Sequence, residues 1–431
     1  MNEVTVKPIS LDNILSAAVR APIAELNEFC SAQRASMAPA VLPNNKQEQW
    51  KYTDLTFLQQ QKYAVTANAA PEFLSPEYFT KKNFSQNLIV FVNGAYAPAL
   101  SKLTALPAGV IICPLSDALQ KYPELVAAVY RDFDQHTDFF AKLNATAISE
   151  GLFLSVPKDC VIETPLQLLF LTTNAQSFVT APRHLIQLGD NSVATLIAEY
   201  VTHDANNYFT NVVTDIFLNQ NAQLNFYKIQ TEASDAMHMA STFVTQHEHA
   251  IFKGYFFSTG GAFARDNLTI DQLGNSATSE LYGYYFLNHE QQYIDHHITL
   301  NHRASHGVSQ MLYKGILQKK SRAVFNGKVF IPEGVQKINA SQTNHNLALV
   351  DTAEIYTKPE LEIYADDVKC SHGATVGQID QDALFFLRTR GLTIKDAMEL
   401  LTMGFAMDVF EKIPEPNLQQ YILARMGFQH E

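Results

Sequence analysis

Two spacings of hydrophobic residues run through this chain, and the switch between them divides it. Near the N-terminus, Leu11, Ile14, Leu15, Ala18 and Val19 recur at helical spacing, and Pro22 opens a second run with Ile23, Leu26, Phe29 and Cys30. A polar stretch from Pro39 to Gln49 leads into the segment EQWKYTDL, Glu48 to Leu55. Between Asn87 and about Leu154 the pattern is mixed: strand-like runs at 88–94 (LIVFVNG) and 110–115 (VIICPL) flank a helical run, LSDALQKYPELVAAVYRDF.

Near Gly151 the character changes. As far as Gln378 the chain consists of short β-rich runs punctuated by Asn, Gly, Asp and Pro, among them LFLSVP, LQLLFLTT, VATLIAEYV, VVTDIFL and LYGYYFL. No helix-length periodic segment interrupts them, which weighs against a doubly wound α/β fold, whose parallel strands need crossover helices. The runs SVATLIAEY, NAQLNFYKI, HAIFKGYFF and SATSELYGYY set their leading alanines at 194, 222, 250 and 277, in steps of 28, 28 and 27. Such a period without βα alternation predicts the coils of a β-helix. A sandwich of regular hairpins is the alternative, but only two Asn-Gly pairs suited to turning a hairpin occur, at 93–94 and 326–327.

Helical spacing returns after Gln378. Asp382 to Leu387 predicts a short helix, and Gly391 punctuates. Thr393 then caps a longer helix bearing Ile394, Ala397, Met398, Leu401, Phe405, Val409 and Phe410, which Pro414 ends. Because the ends of a β-helix expose unpaired edge strands, the flanking helices are expected to cover them. The expected fold is mainly β. A helical N-terminal domain (1–85) and a mixed lead-in (86–150) precede a parallel β-helix core (151–378) and a helical C-terminal domain (379–431).

Composition narrows the function. Hydrophobic residues at 47% and charged residues at 17% belong to a globular chain, and 431 residues suffice for a large core. With 31 basic against 43 acidic residues and a net charge of −12, the overall field does not favour nucleic acid or anionic lipid. Four cysteines, at 30, 113, 160 and 370, form no CxxC and no cluster, so free thiols in a reducing compartment are expected. The first residues lack the basic and apolar regions of a secretory signal. The longest uncharged stretch, Thr164 to Pro182, is broken by Pro, Asn, Gln and Thr and reads as strand and turn. A soluble, cytoplasmic protein with no nucleic-acid and no membrane partner is the expectation.

Candidate chemistry is sparse. His247 and His249 would point to one face of a strand, but with no third ligand in view they read as surface or turn histidines. Asp295-His296-His297 and the pair His302/His306 are similar and lack the HExxH signature. The only Gly-Lys, Gly327-Lys328, is followed by Val329, so no phosphate-binding loop exists, and GxSxG is also missing. The most informative stretch is LEIYADDVKCSHGATVGQID, Leu361 to Asp380. Alternation there puts Val368, Cys370, His372, Ala374 and Val376 on one face and Lys369, Ser371 and Thr375 on the other. Cys370 and His372 are either ordinary inward-facing residues of a late strand or half of a metal site. Two ligands cannot close a tetrahedral site, so a working site needs a partner chain.

Over Asn326 to Phe410 the wording FNGKVFIPEGVQKINASQTNHNLAL, DDVKCSHGATVG and LFFLRTRGLTIKDAMELLTMGF resembles the SufB/SufD family of iron–sulfur cluster assembly proteins. Weaker echoes occur at EQWKYTDL and at LNATAISEGLFLSVPKDCVIETP. The C-S-H-G-A-T-V-G wording favours the SufD branch over SufB. The resemblance implies a right-handed β-helix between helical domains, and a non-catalytic scaffold subunit. It implies pairing with SufB through the β-helices and binding of the SufC ATPase through the C-terminal helices. It further implies that His372 serves a transient iron–sulfur cluster or iron at the SufB–SufD interface, with Cys370 as a second candidate ligand. Whether a reduced flavin binds the complex, and whether the isolated chain forms a homodimer, stay open. The alternative from another class is a carbohydrate-active β-helix enzyme, which needs clustered acids along a groove.

Overall fold

The computed structural model describes residues 30–31, 33–34, 42–60, 84–130, 138–173, 178–205 and 207–428. The helical runs expected over 11–29 lie outside the described residues. Between 151 and 378 the described residues form strands and turns and no helix. Successive strands alternate between two ten-stranded sheets, so each coil lays one strand on either face, and the chain winds as a parallel β-solenoid of about seven turns. Stacking is parallel and in register: Gln223 pairs with Val193 below and Ile251 above, and Thr278 with Ile251 and Val308.

This register corrects the repeat. Ala222, Ala250 and Ala277 occupy one fully buried corner of successive coils. Below Ala222 stands Ser192 rather than Ala194, because Val193 pairs with Gln223. Gly307 and Ile338 continue the corner in later coils. The residue before each corner has a left-handed backbone: Asn191 (φ 55°), Asn221 (58°), His249 (56°), Ser276 (59°), His306 (64°) and Lys337 (61°). Turning between sheets takes one left-handed residue, which Asn tolerates better than most residues with a side chain, and then a residue that is small in five of the six coils. A serine at that corner hid the true period from an alanine count.

Inside the coils, columns of side chains stack at the strand spacing. Phe91, Phe170 and Tyr200 form one stack, with ring centroids 4.9 and 4.7 Å apart. Asn93-Gly94 is the tight turn its sequence suggests (φ 49° and 80°), joining Asn87–Val92 to its antiparallel neighbour Ala95–Tyr96. Asn326-Gly327 is not a turn. It lies within the strand Arg322–Ile331, where a Cβ on Gly327 would come within 2.6 Å of Gln342 Oε1, so the glycine makes room for a buried side chain.

The two ends of the solenoid differ. At the first end the lead-in joins both sheets: Asn87–Val92 pairs in parallel with Leu166–Thr173, and Ile111–Pro114 pairs antiparallel with Leu152–Val156. The helical run that follows splits at Pro123 into Leu115–Lys121 and Pro123–Tyr130, since proline starts a helix but lacks the N–H to continue one. The far end departs from expectation. Helices Gln381–Thr389, Ile394–Phe410 and Pro416–Arg425 do not cap it; the last two bind the flank of the solenoid. The Phe410 ring meets Phe257 and Tyr284 at 5.3 and 5.2 Å, and Glu199 accepts from Tyr421 Oη (2.6 Å) and pairs with Arg425 (2.8 Å). That flank is an apolar outer face of Tyr227, Tyr255, Tyr282, Tyr284 and Ile316, with far more apolar area to bury than a strand edge has. Among the described residues, the last strands of both sheets, Glu354–Ile363 and Val368–Gly377, therefore carry no further strand beyond them.

Candidate functional site

The open end is where the strand bearing Cys370 and His372 lies. In the coil below, Ile338, Ala340, Gln342, Asn344 and Asn346 are buried and face inward, and they pair in order with Val368, Cys370, His372, Ala374 and Val376. The alternation expected from sequence holds: these five share the inward face of the last strand. Among the described residues no coil follows, so none of them covers that face. His372 is exposed, and Cys370 is half-buried against the end of the hydrophobic core.

Each side chain rests on a different support. Cys370 sits above Ala340, and burial pushes its thiol pKa up, while a backbone hydrogen bond involving Ala340 pulls it back partway. A thiol so placed is a poor ligand until it loses its proton to a base or an arriving metal. His372 stacks above Gln342, a side chain only 1% exposed. Gln342 reaches across the interior and donates from Nε2 to the Glu360 carbonyl (3.0 Å), tying the last strand of one sheet to the next-to-last strand of the other.

The other histidines do not converge. His247 and His249 stand in an exposed turn after the strand Met237–Gln246, not on a strand as the sequence suggested, and His249 supplies the left-handed corner residue. Asp295, His296 and His297 split between two faces. The Asp295 carboxylate takes His297 (2.9 Å) and Arg265 (2.6 Å), which hold it well below the usual carboxylate range, whereas His296 lies 3.5 Å from Asp266. His302 is buried beside Ser309 Oγ (3.1 Å), and His306 is another corner residue. Among the described residues, no three His, Cys, Asp or Glu side chains gather as a metal would require. Gly327-Lys328 sits in mid-strand, where its amides serve the sheet and not a phosphate.

The cysteines are all free thiols. Cys30 and Cys113 pack in one small apolar cluster, and Cys113 is pushed up to about 11, first by burial and then by Asp117. A second surface lies beside the helix Ile394–Phe410, whose surplus of apolar residues the sequence shows; the solenoid residues that complete it could not be read there. A groove of about 460 Å³ opens there between Tyr284, Phe286 and Ile316 of the solenoid and Leu400, Met403 and Phe428 of the C-terminal segment. Nearby, Phe385 and Phe386 are 67% and 56% exposed, and Asp396 and Glu399 edge the groove. The excess of apolar residues over one stripe was the available signal. No helix among the described residues is long and apolar enough to cross a membrane.

Comparison with known proteins covers nearly the whole chain. Residues 170–405 match the SufBD core domain of the SUF system for FeS cluster assembly, and residues 18–168 match the SufBD protein N-terminal region. The chain is 32% identical over 387 residues to iron-sulfur cluster assembly SufBD family protein slr0076 of Synechocystis, spanning 88% of this chain and 85% of that one. It is 31% identical over 390 residues to iron-sulfur cluster assembly protein SufD of Escherichia coli, spanning 90% and 89%. The Bacillus subtilis SufD is 24% identical over 330 residues, spanning 73% of each chain.

Proposed function

The chain belongs to the SufB/SufD family of iron–sulfur cluster assembly proteins, and from that premise we propose that it is the SufD-type, non-catalytic scaffold subunit of a SufB–SufC–SufD complex. The observation that carries the proposal is the open end of the solenoid. Two parallel sheets stop there with unpaired edges, and Cys370 and His372 face an uncovered interior. A SufB solenoid docked end to end would supply hydrogen bonds to both edges and close the interior over those two side chains. The nascent cluster is cargo at that junction: His372 contributes an imidazole, Cys370 is a second candidate, and SufB brings the remaining donors. The exposed phenylalanines and acidic-rimmed groove of the C-terminal helices suit docking of the SufC ATPase, whose turnover would shift the SufB–SufD pair and open the junction.

An imidazole suits a site that hands its cargo on, because its neutral nitrogen donates less strongly than a thiolate and leaves on protonation. Anaerobic reconstitution with SufB and SufC, read by absorbance and bound iron, tests the reading. His372→Ala is expected to keep the assembly and its ATPase turnover while cutting cluster accumulation at least about tenfold. Cys370→Ser is expected to be milder. Clusters forming at the normal rate with His372→Ala would remove the interfacial ligand and return this strand to ordinary packing.

A further inference from the structure

The segment EQWKYTDL is not part of the junction, yet it reaches it. It lies across the outside of the sheet that ends in Glu354–Ile363, whose strand order inward from the edge is 354–363, 322–331, 293–302 and 263–272. Its anchor is deep in the sheet. The Arg265 guanidinium stacks on Trp50 (3.7 Å), donates to the Gln49 carbonyl (3.0 Å) and pairs with buried Asp295 (2.6 Å). Thr53 Oγ1 donates to the same carboxylate (2.5 Å), and Tyr293 Oη donates to the Tyr52 carbonyl (2.8 Å). Its free side meets the edge strand itself. Glu48 pairs with Lys358 (2.5 Å), and Tyr52 stacks on Tyr356 with centroids 4.5 Å apart and planes 19° from parallel.

An edge strand laddered on one side only is among the first parts of a sheet to open. We propose that Glu48–Leu55 is a strap that holds the edge strand Glu354–Ile363 down, so that it is presented in fixed register to a partner offering its own unpaired strand. Anchoring through Asp295 and Arg265, two and three strands below the edge, with Trp50 stacked on the arginine, makes the brace independent of the ladder it protects. This inference rests on the end-to-end pairing reading above, and the two are separable by experiment.

Hydrogen exchange on the full chain reads the strap without any partner. Glu48→Gln with Tyr52→Ala, both on the outside of the molecule, is expected to speed exchange of the 354–363 amides at least about tenfold. The amides of 223–231, mid-solenoid, should not change. Arg265→Lys should loosen 48–55 and the edge together, since lysine cannot reproduce the stacked, forked contacts of arginine. If that buried change prevents folding, the surface double variant still decides. In a second measurement the double variant should be retained by SufB about tenfold more weakly than the parent chain. Unchanged edge exchange in the strap-released variant overturns the strap, as does loosened exchange with undiminished retention. Failure of the parent chain itself to be retained would instead overturn end-to-end pairing.

Discussion

His184 and His302 lie in the dry interior, and burial drives their pKa values down, to about 3 and about 4, with Asp215 opposing and Arg183 adding to the shift at His184. His184 accepts the Leu152 amide proton (3.1 Å), a bond only the neutral ring can make. Unfolded, both rings would titrate near the ordinary value of about 6.5. Between about 6.5 and 4 the unfolded chain therefore takes up protons that the folded chain refuses. Stability is full above pH 6.5 and falls as pH drops, by about 1.4 kcal/mol per pH unit for each histidine. Urea unfolding at pH 7 and pH 5 should show the loss, and His302→Gln should flatten the slope. An unaltered slope would mean that His302 is protonated in the folded state.

The helix Ile394–Phe410 shows how one element serves two surfaces. Thr393 accepts the Asp396 amide (3.2 Å) at its start, and Gly391 (φ 97°) turns the chain in a conformation strained for any other residue. Ala406, Val409 and Phe410 are fully buried against the solenoid flank, while Ile394 and Leu400 stay exposed. Two substitutions separate the roles. Phe410→Ala empties a well-packed site and should cost about 3–5 kcal/mol, read as a lower unfolding midpoint. Phe386→Ala, on the neighbouring helix, should change stability by less than about 0.5 kcal/mol yet weaken SufC retention on a column. Equal SufC retention by Phe386→Ala would move the docking surface elsewhere.

At the scale of the whole molecule, the two ends of the solenoid differ, and the difference sets which end suits the pairing proposed above. Among the described residues, the first end is finished by the lead-in strands, whereas the last coil leaves two edges and an inward face free. Natural sheets discourage unwanted pairing by putting charge at such edges. Val376, 54% exposed in an inward-facing column, carries none. Val376→Lys should therefore block SufB pairing by burying an unpaired ammonium at the junction, while leaving the isolated chain's unfolding midpoint within the scatter of surface changes. Co-elution with SufB unaffected by Val376→Lys would place the interface away from this end.

Much of this was readable in the sequence because it depends on local periodicity. Strands of period two, the absence of helices among the described residues between 151 and 378, the Thr393 cap and the shared face of Cys370 and His372 each follow from neighbours within a few residues. The family resemblance rested on such short runs too. Only the tertiary structure decided which corner residues stack, that Asn326-Gly327 is a strand segment shaped by Gln342, and that His249 and His306 turn corners. It also decided that the C-terminal helices bind the flank and leave the end open. Those outcomes depend on coil-to-coil register and on which apolar surface is larger, and both are set by residues about 30 or more positions apart. EQWKYTDL is the plainest case: its own spacing says nothing of Arg265, Asp295 or Tyr356, which reach it only once the solenoid has wound.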